Sequence, residues 1–284
     1  MNGIVNIYKP AGITSHSAVN KVRRILGIKK VGHTGTLDPD AEGVLPICIG
    51  KGTKLAGLLT DADKAYRAVI KLGIVTDTQD ASGEILSECS PDISEREFAD
   101  AVNSFIGKTE QIPPMYSALK VNGRKLCDLA RQGIEVERKP REITIFSIEI
   151  SAFDGQTATL DVACSKGTYI RTLCHDIGQK LGCGAIMQSL IRTKSGVFEI
   201  KNSVSFEEFE KNPEKFIMPP DKIFSHLPEF IADESQTHKI KNGIRIDADT
   251  ENGKTYRVYS ETGEFLAVSE SENGKLVIKT AFFG

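Results

Sequence analysis

The residues with the greatest capacity for chemistry lie in the run Gly32-His33-Thr34-Gly35-Thr36-Leu37-Asp38-Pro39-Asp40-Ala41-Glu42-Gly43-Val44-Leu45-Pro46-Ile47-Cys48-Ile49-Gly50. His33 and Asp38 occupy a glycine-punctuated loop that leads into an apolar, strand-like segment. A rigid scaffold presents a reactive carboxylate to a substrate in this way. Asp-Pro and Gly-Thr-Gly are also ordinary turn chemistry, so the loop alone leaves Asp38 open between a turn residue and a catalytic one. His33, by the same measure, is a surface or hydrogen-bonding turn residue. Asp38, Asp40 and Glu42 offer a different chemistry, a divalent-metal cluster. Alternate residues on a proline-containing loop need not converge, and no histidine supports them.

A carboxylate that must stay charged away from water needs a cation beside it; an adjacent guanidinium lowers an aspartate by about 1–3 pKa units. Arg171 is a candidate. Thr157 to Cys164 alternates with Ala158, Leu160, Val162 and Cys164 on one strand face. Beyond Gly167 a helix carries Ile170, Leu173, Ile177 and Leu181 on its face and ends at Gly182. Arg171 therefore falls in the first helical turn, just past a strand end, where a fixed side chain can meet a loop carboxylate. A salt bridge that only closes the fold is the alternative, and both can hold. Tyr66 shares an inward strand face with Ala68, Ile70 and Leu72, and periodicity alone makes it a core tyrosine.

Ile4 to Tyr8 reads as a strand and Lys9-Pro10-Ala11-Gly12 as a turn. Thr14 or Ser15 then caps a helix bearing Val19, Val22, Ile25 and Leu26. Arg23, Arg24, Lys29 and Lys30 extend from its far end toward the Gly32 loop, where phosphate contacts are available. Ser94-Glu95-Arg96-Glu97 is a capping box, with Phe98, Ala101, Val102 and Phe105 at helical spacing and Gly107 as the stop. Pro113-Pro114 breaks the chain before Ser117 to Val121; Asn122-Gly123 is a hairpin-type turn, followed by a short helix, Lys125 to Arg131, ended by Gly133. Ile143 to Ile150 is a strand whose phase changes between Ile145 and Phe146, which predicts a bulge. Residues 202–228, with the break Met218-Pro219-Pro220-Asp221, read as a connector. After it, Tyr256 to Tyr259, Phe265 to Ser269 and Leu276 to Phe282 form a meander with turns at Thr262-Gly263 and Asn273-Gly274, a small all-β domain.

A chain of 284 residues with 40% hydrophobic content supports one large domain and a small one. No apolar run approaches a membrane span, and the start lacks the basic and apolar regions of a signal peptide, so the cytoplasm is expected. Six cysteines are scattered without a Cys-x-x-Cys pair, which favours reduced thiols over disulfides or a zinc site. His16, His175, His226 and His238 have no metal-ligand spacing either, and no metal is expected. The net charge of −2 argues against an RNA partner, but the total hides a segregated distribution. Residues 1–37 carry six Lys/Arg and no acid, 108–141 carry eight against four, and 77–103 carry eight acids against one Arg. Solvated faces and a local basic groove on a neutral protein both fit.

Four further segments accompany the Gly32 loop: Lys9-Pro10-Ala11-Gly12, Lys64-Ala65-Tyr66-Arg67, Gln111-Ile112-Pro113-Pro114-Met115-Tyr116-Ser117-Ala118-Leu119-Lys120, and Cys164-Ser165-Lys166-Gly167-Thr168-Tyr169-Ile170-Arg171-Thr172. In this order, over residues 3 to about 200, they resemble the bacterial TruB family of tRNA pseudouridine synthases, which make pseudouridine 55 in the T arm. The resemblance implies an α+β fold, a mixed, mainly antiparallel sheet flanked by helices. It also implies a catalytic domain at 1–225, with an insertion at about 108–141 that grips the tRNA arm, and a small PUA-like β domain at 229–284. Asp38 becomes the catalytic carboxylate and Arg171 its partner. Tyr66 becomes the platform for a flipped base and a late proton carrier. Implied substrate contacts are His33, which displaces the base, with Tyr169 and Leu190 bordering the uracil and Lys9 in the first motif. No cofactor, guide RNA or protein partner is implied, and a monomer is expected. An RNA-folding factor whose pocket serves recognition alone is the competing reading; a metal-dependent hydrolase on Asp38, Asp40 and Glu42 is a third.

Overall fold

The computed structural model of the protein describes residues 1–283. The chain opens with β1 (Gly3–Lys9), α1 (Ser15–Leu26), β2 (Val31–His33), β3 (Glu42–Ile49) and the short α2 (Ala56–Thr60). Next come β4 (Lys64–Leu72), the hairpin of β5 (Ile74–Thr76) and β6 (Ile85–Glu88), α3 (Glu95–Asn103) and β7 (Gly107–Gln111). The basic excursion holds β8 (Lys120–Val121), β9 (Arg124–Lys125) and α4 (Leu126–Ala130), and leads to β10 (Arg141–Phe153), β11 (Thr157–Cys164) and α5 (Ile170–Lys180). After β12 (Ala185–Ser195) and β13 (Phe198–Glu199) follow α6 (Phe206–Lys211) and α7 (Pro213–Phe216). The tail contains β14 (Glu229–Ala232), α8 (Glu234–Lys241), β15 (Ile246–Asp247), β16 (Thr255–Ser260), β17 (Phe265–Glu272) and β18 (Lys275–Ala281).

The large sheet runs β1-β3-β12-β4-β11-β10-β7, with β2 beside β3 and β13 beside β12. Every pair in it is antiparallel except β3 with β12. Local chemistry sets the helices that cover it. Thr14 caps α1 by accepting the Ser17 N–H at 3.0 Å, and Gly27, at φ 65°, ends it in the left-handed conformation. The Ser94–Glu97 capping box starts α3. Val19 and Val22 of α1, Phe98 and Val102 of α3, and Leu173 and Ile177 of α5 share one core with Val5, Ile7, Ile47, Ile70 and Leu160 of the sheet. The bulge expected in β10 falls between Ile145 and Ser147.

On the other face, Ile4, Val44 and Cys48 pack with Ile223, Phe224, Val268 and Phe282. β3 is thus buried on both sides, which accounts for its nearly unbroken apolar run. The same packing corrects the reading of 202–228 as a connector. Met218 and Ile4 exchange backbone hydrogen bonds at 2.8 and 2.9 Å, and Ile223 and Phe224 are buried, so this stretch is built into the sheet edge. The tail forms a five-stranded sheet, β14-β16-β17-β18-β15. Its meander was expected; β14, β15 and α8, with the Asp233–Gln236 capping box, are additions. Among the described residues no helix is long and apolar enough to cross a membrane.

Candidate active site

Strand register aligns Lys9 of β1, Gly43 of β3, Arg192 of β12, Tyr66 of β4 and Val162 of β11 in one row across the sheet. Directly paired residues point to the same face, here the face that carries the helices. The loop 35–39 is held above this row by its own carbonyls. Arg192 donates to Gly35 at 3.3 Å, to Thr36 at 3.5 Å and to Val44 at 2.7 Å. Ser15, from the start of α1, donates to the Leu37 carbonyl at 3.0 Å and accepts the Leu37 N–H at 2.8 Å. Ala41 N–H reaches the Asp38 carbonyl at 3.2 Å. The Pro39 carbonyl accepts from Gly12 N–H at 3.0 Å and from Lys9 at 2.9 Å. Every carbonyl from Gly35 to Pro39 therefore has a donor, and the backbone carrying Asp38 is fixed before any ligand arrives.

Arg171 reaches this loop from the first turn of α5. Its Nη2 lies 2.9 Å from Asp38 Oδ2, and its Nη1 lies 3.5 Å from Asp80 Oδ2. Gln111, at the end of β7, anchors the helix start: Tyr169 N–H donates to its Oε1 at 2.8 Å and its Nε2 donates to the Tyr169 carbonyl at 3.0 Å. The ion pair is lopsided. The Arg171 side chain is 7% exposed and that of Asp38 is 39% exposed, so the carboxylate keeps a face open to a ligand while its partner stays inside. Burial pushes the Asp38 carboxyl above its ordinary range; Arg171 opposes this most strongly, Asp80 adds to it, and Lys9 counters it in part.

Asp80 was not expected here, since in the sequence it is one of eight acids in the run 77–103 with nothing to set it apart. The loop after β5 docks on β12 through Met187 N–H to the Gln79 carbonyl at 3.1 Å and Ala81 N–H to the Met187 carbonyl at 3.1 Å. Thr172 of α5 donates to Gln79 Oε1 at 2.7 Å. Gln79 sits at φ 65°, a left-handed conformation that turns the chain so Asp80 meets Arg171. The dense turn chemistry of Asp77-Thr78-Gln79-Asp80-Ala81-Ser82-Gly83 was the available signal.

Tyr66 is half-buried at the end of its apolar strand face, within the fields of both Arg192 and Asp38. Leu190 is buried one row away, opposite Ala68. Tyr169, the residue before α5, lies within the fields of Arg171 and Asp38. His33 accepts the Gly35 N–H on Nδ1 at 3.2 Å; burial first, then Arg192 and His16, hold its imidazole below the ordinary histidine range. Lys9 is in the assembly but in another capacity than expected. It has no exposed surface, and its ammonium donates to the carbonyls of Pro10, Ile13 and Pro39 at 2.8–2.9 Å, leaving no proton for a substrate phosphate. Asp38, Asp40 and Glu42 do not converge, and the described residues contain no metal-binding group of three or more His, Cys, Asp or Glu. Glu42 instead accepts from the Tyr8 hydroxyl at 2.7 Å. A concavity of about 630 Å³ lies apart from this site and is lined by Lys120, Arg124, Lys125 and Arg131 of the basic excursion.

A half-open carboxylate held by a buried guanidinium, with an aromatic ring in its field, can act as nucleophile or base toward a planar substrate. The fold is that of a pseudouridylate synthase. A model of the TruB family pseudouridylate synthase N-terminal domain matches residues 23–170, and one of the tRNA pseudouridylate synthase B C-terminal domain matches 171–224. The chain belongs to the TruB family. It is 51% identical to "tRNA pseudouridine synthase B" of Alkaliphilus oremlandii over 87% of this chain and 83% of the relative. The protein of the same name from Clostridium acetobutylicum is 47% identical over 98% and 99%. Among solved structures, a chain of a Cbf5-Nop10-Gar1 complex superposes with a TM-score of 0.74 at 27% identity, covering 99% of this chain and 85% of that one. A chain of an archaeal box H/ACA sRNP Nop10-Cbf5 complex gives 0.71 at 26%, covering 99% and 86%.

Proposed function

We propose that this chain isomerises uridine 55 in the T loop of tRNA to pseudouridine, with Asp38 as the catalytic carboxylate. The observation that carries the reading is the Asp38–Arg171 pair, in which the carboxylate alone is open to a ligand. The relatives' name, tRNA pseudouridine synthase B, supports tRNA as the substrate. The reaction breaks the N1–C1′ bond, turns the base and joins C5 to C1′; the C5 proton leaves and N1 gains one, so no net oxidation or hydrolysis occurs. An ionised Asp38 oxygen serves each available route, by attack on C1′, addition to C6 or removal of the C2′ proton.

Extruding the base costs a few kcal/mol, and stacking on Tyr66 returns about 1–3 kcal/mol. Tyr66 then carries the C5 proton away late in the reaction. Tyr169 and Leu190 border the uracil, and a neutral His33 fills the place it leaves. Lys9 acts through the loop it clamps. The basic excursion, with its lysines and arginines around one concavity, grips the RNA arm. Residues 1–225 form the catalytic unit and 229–284 a PUA-like unit, and the protein works in the cytoplasm without guide RNA or partner protein. Purified protein incubated alone with an unmodified tRNA transcript tests this. Pseudouridine at position 55 is expected; none, or pseudouridine only elsewhere, overturns the proposal.

A further inference from the structure

Arg192 is 1% exposed, yet among the described residues no carboxylate pairs with it. A buried guanidinium without a counter-ion is costly and needs a structural reason. Its neighbours deepen the anomaly. Its charge bears on Lys9 of β1, His33 of β2 and Lys64 of β4, all cations or potential cations. The group able to carry negative charge that faces it is Tyr66, its direct cross-strand partner, with Cβ atoms about 5 Å apart. Gly43, the next residue in the row, has no side chain to intervene; a Cβ there would lie 2.3 Å from the Arg192 carbonyl oxygen. The guanidinium meanwhile spends three donors on Gly35, Thr36 and Val44. One side chain thus touches the loop that carries Asp38 and stands beside the phenol that faces it.

We infer that Arg192 is a positioning residue with two tasks: it fixes the Asp38 loop through the Gly35 and Thr36 carbonyls, and its charge favours the ionised Tyr66 phenol that accepts the C5 proton. The inference rests on the reading of Tyr66 as proton carrier. In the step concerned, the phenolate oxygen takes the proton from C5 of the rejoined base. The C5–H electron pair forms C5=C6, the C6=N1 pair returns to N1, and N1 takes a proton from water. Tyr66 later passes its proton to solvent. The direction of the electrostatics agrees: burial raises the Tyr66 phenol, Arg192 is the strongest influence lowering it, and Cys164 and Asp38 raise it further.

The test compares wild type, Arg192→Gln, Arg192→Lys and Tyr66→Phe in single-turnover tritium release from C5-labelled tRNA across pH, alongside circular dichroism. Arg192→Gln should move the alkaline arm of the profile up by about 1 pH unit or more. Arg192→Lys, which keeps the charge and loses the fork, should slow the reaction and leave the arm in place. A rate loss equal at all pH, or an arm that moves as far in the Lys variant as in the Gln variant, overturns the inference. The Tyr66 phenol is also followed in the resting protein by ¹⁹F NMR of 3-fluorotyrosine, with Tyr66→Phe assigning the signal. Its midpoint should rise in Arg192→Gln and hold in Arg192→Lys; an unmoved midpoint in the folded Gln variant refutes the pairing. Wild-type release by Tyr66→Phe would instead sink the proton-carrier reading itself, while the NMR titration still decides whether Arg192 and Tyr66 are paired.

Discussion

Replacing Arg171 with methionine removes the cation shared by Asp38 and Asp80 while roughly keeping its bulk. At 2.9 Å and an effective dielectric of about 20, the Asp38–Arg171 attraction is about 6 kcal/mol. Asp38 is 39% exposed, so water screens it, and roughly half that value is a fair working figure, about 2–3 kcal/mol. If the loss falls on the transition state, the rate drops about 30- to 150-fold. The pH dependence should change too. Burial already pushes the Asp38 carboxyl up and Arg171 is what restrains it, so without Arg171 it must climb further, and Asp80 reinforces the climb. The acid limb of the profile should then move to higher pH. Arg171→Lys restores a charge but cannot fork between two carboxylates, and should recover the limb better than the rate. Single-turnover conversion of unmodified tRNA transcript between pH 5 and 9, with binding measured separately, reads all of this. A methionine variant within threefold of wild type with an unmoved acid limb would refute the reasoning.

Other expectations concern the same loop. Because the folded state holds the Asp38 proton more tightly than the unfolded chain does, stability falls as pH rises through the carboxylate range up to the raised folded value; Asp38→Asn should remove this component and cost less than about 1 kcal/mol at neutral pH, as denaturant titration can check. Lys9→Met leaves the Pro10 and Ile13 carbonyls without that donor and should destabilise by about 2 kcal/mol net of the relieved burial of charge. Burial holds Lys9 down at about 8, so wild-type stability should gain as pH rises from about 8 toward the ordinary lysine value, and the methionine variant should lack that rise. Gly43→Ala drives a Cβ into the Arg192 carbonyl at 2.3 Å and at φ 103°, and should lower the melting temperature and the rate together.

How much of this was legible in the sequence depended on the range of the interactions. The Thr14 cap, the Ser94 box, the alternation of β11 and the β10 bulge are local, and each lies where its residues indicated. Arg171 could be put at a helix start because strand, glycine and helix follow one another directly. Tyr66 could not be separated from an ordinary core tyrosine, since its special position comes from Arg192, 126 residues later in sequence and adjacent only by strand register. Asp80 was hidden for a similar reason: a docked loop brings it from an acidic run to Arg171. Lys9 was expected as a substrate contact because of its motif, and only the folded turn reveals three carbonyls around its ammonium. The 202–228 stretch reads as polar and broken by prolines, yet two phenylalanines, Phe206 and Phe209, and the Ile223–Phe224 pair bury it against the sheet.

The most direct measurement is the single-turnover rate of Asp38→Asn on an unmodified tRNA transcript, taken with its affinity for the same RNA. Asparagine keeps the shape and the loop bonds while removing the charge, so pseudouridine formation should vanish with affinity unchanged within a few-fold. Turnover at the wild-type rate would contradict the central claim that the Asp38 carboxylate performs the chemistry.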